Sequence, residues 1–135
     1  MDKLSERIEA VGKAVLNAAF EVHSEMGPGL LESVYQECLR FALDEAGFRA
    51  DREVPIPIKF RGVKLEAGFR ADLIVDESVL VELKAVETLL PIHKAQAITY
   101  LKLSSIQLGF VINFNETHLR TGIRRILRPD LLSDI

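Results

Sequence analysis

The chain reads as an α/β domain in which helices cover a mixed sheet, and three observations carry that reading. Apolar residues recur at helical spacing twice near the N-terminus. Period-two alternation takes over after residue 50, and a helical segment then separates two apolar strands. The resulting order is α, α, β, β, β, α, β. A length of 135 residues predicts one domain over 1–135, long enough to bury a core without staples.

Each element has its own signal. Leu4, Ile8, Val11, Val15, Ala18 and Val22 form one stripe and predict a helix over 3–25. Gly27, Pro28 and Gly29 stop it. Leu31, Val34, Cys38 and Phe41 predict a second helix from about Leu30 to Ala46, closed by Gly47. Val54, Ile56, Ile58 and Phe60 then alternate with Pro55, Pro57 and Lys59. Proline cannot donate to a ladder, so this strand belongs at an edge. Arg61-Gly62 makes a tight turn into a second strand over 63–76, with Gly68 a candidate bulge. Residues 79–86 form a third strand. Pro91 opens a helix over 91–103, and "IQLGFVINFN" is the last clear strand. The tail from Glu116 fits a short strand or a helix.

Composition narrows the function. The net charge is −3, so the chain as a whole is not drawn to polyanions. Residues 1–50 hold 5 basic and 9 acidic side chains, and residues 51–128 hold 12 and 9, so any nucleic-acid surface belongs to the second half. No apolar run suits a bilayer span, and the N-terminus lacks the apolar centre of a signal peptide. A single cysteine, Cys38, excludes an intrachain disulfide and fits a reducing, cytoplasmic setting. Its apolar helical context makes it a small core residue.

The chemistry lies in "FRADLIVDESVLVELKAV". Residues two apart in a strand share a face, so Glu82 and Lys84 stand together. An even hairpin register adds Asp72. A loop of Glu77, Ser78 and Val79 would pair Asp76 with Leu80 and Asp72 with Lys84, leaving Glu82 diagonal. Two carboxylates of this kind suit Mg²⁺ or Mn²⁺, and an ammonium beside them suits phosphodiester hydrolysis. A structural ion-pair cluster is the alternative.

Asp72 followed by Glu82-Leu83-Lys84 resembles the D…ExK signature of the PD-(D/E)XK nuclease superfamily, with Ala71 where that family often has proline. The resemblance implies a restriction-endonuclease-like αβββαβ core with a mixed central sheet flanked by helices, plus an extra N-terminal helix. It implies Mg²⁺ or Mn²⁺ held by Asp72, Glu82 and the Leu83 carbonyl, with Lys84 catalytic. Gln96 and Tyr100, four apart, resemble the Gln-x-x-x-Tyr of recombination nucleases, in which the glutamine assists and the tyrosine lines the site. "GLLESVY", Gly29 to Tyr35, is similar to the GxxExxY pattern of a small bacterial family of the same superfamily. "HKAQAITYLK" and "GFVINFN" extend that likeness over about residues 5–126. Glu32 then matches the acidic residue that the first core helix of nuclease relatives adds to the metal site, with Tyr35 and His23 as supporting residues.

Each has a plainer reading: Glu32 as a helix N-terminal acid, Gln96 as a solvated residue, Tyr100 as core, and His23 as a helix cap. Arg124 and Arg125, in a stripe with Arg120 and Arg128, and Lys94 are candidate phosphate contacts, or parts of a solvated face. The expected function is a metal-dependent nuclease acting on nucleic acid, DNA before RNA, with no membrane partner. A homodimer or partner protein would supply further substrate grip. A non-catalytic binding or dimeric interaction module is the rival.

Overall fold

The computed structural model describes residues 4–131, and of Glu66 and Ala67 only the backbone. The start of the first expected helix at residue 3 and the end of the tail lie outside the described residues. The elements are α1 (Glu6–Met26), α2 (Glu32–Glu45), β1 (Ala50–Phe60), β2 (Val63–Val75), β3 (Val79–Lys84), α3 (Pro91–Ser104), β4 (Leu108–Asn113) and β5 (Ile123–Leu127). A short 3-10 turn, Leu119–Gly122, precedes β5, so the tail resolves into a strand.

The five strands lie in chain order, β1-β2-β3-β4-β5. β3 and β4 run parallel because α3 carries the chain between them, and the other neighbours are antiparallel. The sheet is therefore mixed and flanked by helices, a restriction-endonuclease-like arrangement with α1 as the additional N-terminal helix. β1 takes the edge that its prolines require.

Two apolar layers sandwich the sheet. Val11, Val15 and Ala19 of α1 and Leu39 and Leu43 of α2 pack with Val79, Val81, Leu83, Phe110 and Ile112. On the other face, Ala97, Tyr100 and Leu101 of α3 pack with Ile56, Ala71, Ile74, Leu80 and Val111. β3 thus sends its odd-numbered residues to α1 and α2. Its even-numbered ones, Leu80 and Glu82, go towards α3.

The β1–β2 hairpin is long and interrupted. Its register shifts between Ile56 and Ile58, opposite residues 66–68. Gly68 sits in that bulge, where an added Cβ would stand 3.1 Å from the Ile56 carbonyl oxygen. The hairpin tip beyond it carries Phe60, Val63 and Leu65, all exposed.

Candidate active site

The β2–β3 turn differs from the expected one, and the difference sets the site. Val75 pairs with Val79 and Leu73 with Val81, so the loop is 76–78 rather than 77–79. Asp76 and Glu77 take positive φ of 48° and 56°, and the Ser78 N–H closes the turn on the Val75 carbonyl. Parity is kept, so Asp72 stays with Glu82. Continuing the register places Asp72 opposite Glu82, not opposite Lys84.

Backbone pairing between β2 and β3 ends at Leu73–Val81. Beyond it the two carboxylates bridge the strands. The Leu83 N–H donates to Asp72 Oδ2 at 2.7 Å, and the Asp72 N–H donates to Glu82 Oε1 at 3.1 Å. Leu73 packs towards α1 and α2 whereas Ala71 packs towards α3, so strand alternation breaks at Asp72. The partner strand breaks there too: Glu53 of β1, between the pairs Arg52–Leu73 and Val54–Ala71, has φ of +52°. A non-glycine residue there is strained and is held by its surroundings.

Those surroundings include Gln36 of α2, which is buried. Its Nε2 donates to Glu53 Oε1 and to the Asp72 carbonyl, each at 3.0 Å. Glu32, one turn earlier and at the start of α2, accepts from the Ala85 N–H at 3.3 Å. Glu32, Ser33, Gln36, Glu53, Asp72 and Leu83 line one cavity of about 250 Å³. Gln36 and Glu53 escaped the sequence reading. Gln36 had a signal, since it lies four residues after Glu32 and shares its face.

The electrostatics are those of crowded acid. Burial, then the charge of Asp72, pushes Glu82 up to about 8. Burial also raises Asp72, and the charges of Glu32 and Glu53 add to the effect. The two carboxyls are within hydrogen-bonding reach of each other, so one proton between them relieves the repulsion. Lys84 acts on both carboxylates through its charge and opposes these shifts. It forms no ion pair within 4 Å among the described residues.

Tyr100 of α3 faces the same charges. Burial, then Glu82 and Asp72, pushes its phenol up to about 12, and its ring lies 4.9 Å from that of Phe69. Gln96, one helical turn before it, is half-buried, and its side chain makes no hydrogen bond among the described residues.

Tyr35 and His23 stand apart. Tyr35 is fully buried, stacks on Phe114 at 4.6 Å, donates to the Gly27 carbonyl at 2.5 Å and accepts from the Leu30 N–H at 3.1 Å. It fastens the loop in which Gly27 and Gly29 take φ of +68° and +99°. That loop delivers the chain to Glu32, so the glycine and tyrosine of the motif set where its glutamate stands. His23 Nε2 lies 2.6 Å from the Glu116 carbonyl, at the end of α1.

Among the candidate phosphate contacts, Arg124 donates to the carbonyls of Thr121 and Ile123, and Arg125 pairs with Glu9 at 3.0 Å. Lys94 is exposed and lines a shallow cavity with Arg124 at the start of α3. Asn113, also missed, is fully buried. It bonds the Val86 N–H and carbonyl and so anchors the segment that follows Lys84.

A mixed sheet between helices, with an aspartate and an E-x-K strand crossed at the point where β2 and β3 diverge, defines a restriction-endonuclease-like fold with a D…ExK site. A family model of the PD-(D/E)XK nuclease superfamily matches residues 9–126, and the chain belongs to that superfamily. The crystal structure of SSO0001 has a similar fold, with a TM-score of 0.57 at 23% identity over 95% of this chain. The chain spans 66% of the length of that protein. Comparison with curated proteins returned no match.

Proposed function

We propose that the protein is a metal-dependent nuclease that hydrolyses nucleic-acid phosphodiester bonds, acting as one nuclease-like domain in the cytoplasm. The observation that carries this is the Asp72–Glu82 pair. Two largely buried carboxylates share a site where burial raises both, the charge of Asp72 raises Glu82 further, and the charges of Glu32 and Glu53 raise Asp72. Such a pair costs stability when ionised and is relieved by a divalent cation. The donor set is all oxygen, which fits Mg²⁺ or Mn²⁺ rather than a softer ion.

Asp72, Glu82 and the Leu83 carbonyl would hold the cation, with Glu32 approaching from α2. Among the described residues no three carboxylates already form a metal cage, so Glu32 would turn from the Ala85 N–H on binding. When bound, the cation supplies charge neutralisation on the phosphodiester and a more acidic water. Lys84, unpaired beside the carboxylates, would meet the phosphate oxygens as charge develops. Gln96 would orient the attacking water from α3, and Tyr100 would form the site's wall beneath it. Gln36 keeps Asp72 in place through its backbone carbonyl. Gly29, Glu32 and Tyr35 support placing the chain in the GxxExxY group, with DNA as the substrate before RNA.

The test is calorimetric titration of Mn²⁺ into the protein, alongside cleavage of labelled single- and double-stranded DNA and RNA. Binding that releases a proton at neutral pH, with cleavage, is expected. Binding without cleavage of any substrate would favour a non-catalytic nucleic-acid module, and no binding would end the nuclease reading.

A further inference from the structure

Six arginines of this protein are engaged in ion pairs among the described residues. Arg7 pairs with Asp76, Arg40 and Arg52 with Glu37, Arg49 with Asp51, Arg125 with Glu9 and Arg128 with Asp130. The β1–β2 hairpin is different. Residues 57–70 hold Lys59, Arg61, Lys64 and Arg70 against one carboxylate, Glu66, in a chain whose net charge is −3. All four cations are exposed, and none forms an ion pair among the described residues.

Their arrangement is costly in the free protein. Lys59 and Lys64 are direct cross-strand partners. Like charges set opposite one another destabilise a ladder. The opposite face of the tip carries Ile58, Phe60, Val63 and Leu65, with Phe60 and Val63 more than half exposed. The Arg61 guanidinium lies 5.0 Å over the Phe60 ring. Paired lysines, an arginine stacked on an aromatic ring and a bare apolar face are what a polyanion with flat bases would complement. The hairpin is also continuous with the candidate site. Arg70 lies two residues from Asp72, and Lys64 lies eight, about 25 Å away along an extended strand.

We propose that the tip of the β1–β2 hairpin, Lys59 to Leu65, grips nucleic acid outside the active site. Lys59 and Lys64 straddle backbone phosphates, Phe60 and Arg61 stack against a base, and Arg70 carries the strand down towards Asp72. The inference rests on the nucleic-acid reading of the site but not on turnover. It gives the substrate a hold outside the site, on a projection whose exposed side chains contribute no core packing.

Binding is measured by fluorescence anisotropy with labelled 20-nucleotide single strands and duplexes in EDTA, so that no cleavage intervenes. Lys59→Ala/Lys64→Ala should weaken binding about tenfold and reduce the log–log salt slope by about 1.4 on single strands or about 1.8 on duplex. Phe60→Ala should weaken single-strand binding about tenfold, the scale of one lost base stack, with little change in the salt slope. Thermal melts should not fall: these side chains are exposed, and removing the Lys59–Lys64 pair relieves a like-charge repulsion, so the lysine variant should melt at or slightly above wild type. Wild-type affinity and slope in the lysine variant would overturn the proposal. So would a wild-type dimer, seen by sedimentation, that Phe60→Ala converts to monomer while nucleic-acid binding persists, because the apolar face would then belong to a second copy. If the hairpin variants lose binding but no protein cleaves, the grip stands and the nuclease reading falls. If cleavage proceeds with hairpin variants equal to wild type, the reverse holds.

Discussion

Replacing Glu82 by glutamine should make the metal-free protein more stable at alkaline pH. Glu82 stands at about 8 against an ordinary 4.5. The folded state therefore holds a proton that the unfolded chain has released, throughout that interval. Stability is intact below about pH 4.5 and is lost as pH rises towards 8. At about 1.4 kcal/mol per tenfold change in proton affinity the ceiling is about 5 kcal/mol, and relaxation and water penetration around a buried carboxylate bring the realised loss to about half of that. Glutamine keeps an oxygen for the Asp72 N–H and gains an amide that can donate to the Asp72 carboxylate. In EDTA at pH 8.5 the variant should melt about 10 °C above wild type, at about 3–5 °C per kcal/mol for a chain of this size. At pH 4.5 the two should coincide. Mn²⁺ should raise the wild type at pH 8.5 and leave the variant almost unmoved, since ligand binding to the native state is what stabilises. A variant that melts below wild type at every pH would show that the Glu82 carboxylate is well accommodated. The crowded-acid account of the site would then be wrong.

Three further outcomes follow from the same geometry. Lys84→Ala should melt like wild type and still bind Mn²⁺, yet cleave about a hundredfold more slowly, the scale of one lost transition-state stabiliser; equal cleavage rates would remove Lys84 from the mechanism. Tyr35→Phe should cost about 1–3 kcal/mol in urea unfolding, because the Gly27 carbonyl and the Leu30 N–H lose their shared hydroxyl; an unchanged midpoint would show that the loop closes without it. Gln36→Leu should keep the buried volume but free Glu53 and the Asp72 carbonyl, so Mn²⁺ affinity should drop about tenfold by calorimetry, and unaltered affinity would deny Gln36 its positioning role.

The element order was legible because each element carries its own period and punctuation. Prolines placed β1 at the edge, and Gly68 marked the bulge. The β2–β3 register was not legible. Its turn uses Asp76 and Glu77 at positive φ, where no glycine or asparagine advertises it. Distant contacts hold that turn instead: the Arg49 N–H on Asp76 Oδ1, the Asp76 N–H on the Arg49 carbonyl, and Arg7 on Asp76. Asp72, Glu82 and Lys84 could be grouped because parity survives a slip of two residues. Gln36, Glu53 and Asn113 could not be found in the same way, since their roles depend on which backbone groups the diverging strands leave open. For Tyr35, periodicity shows that it shares a face with Glu32 but not that its hydroxyl is spent on a loop.

The edge position of β1 also bears on how this protein survives at high concentration. A strand that ends a sheet is an invitation to another chain's strand, and here that strand adjoins the acidic cavity. Pro55 and Pro57 offer no N–H to an incoming strand, and the left-handed kink at Glu53 interrupts the straight row that strand addition needs. The far edge, β5, shows Arg124 and Arg125 to solvent. The groove can thus stay open to a flexible polymer while both margins resist self-templated stacking, so a lesion such as Pro57→Val would be expected first as fibril formation, before any loss of fold.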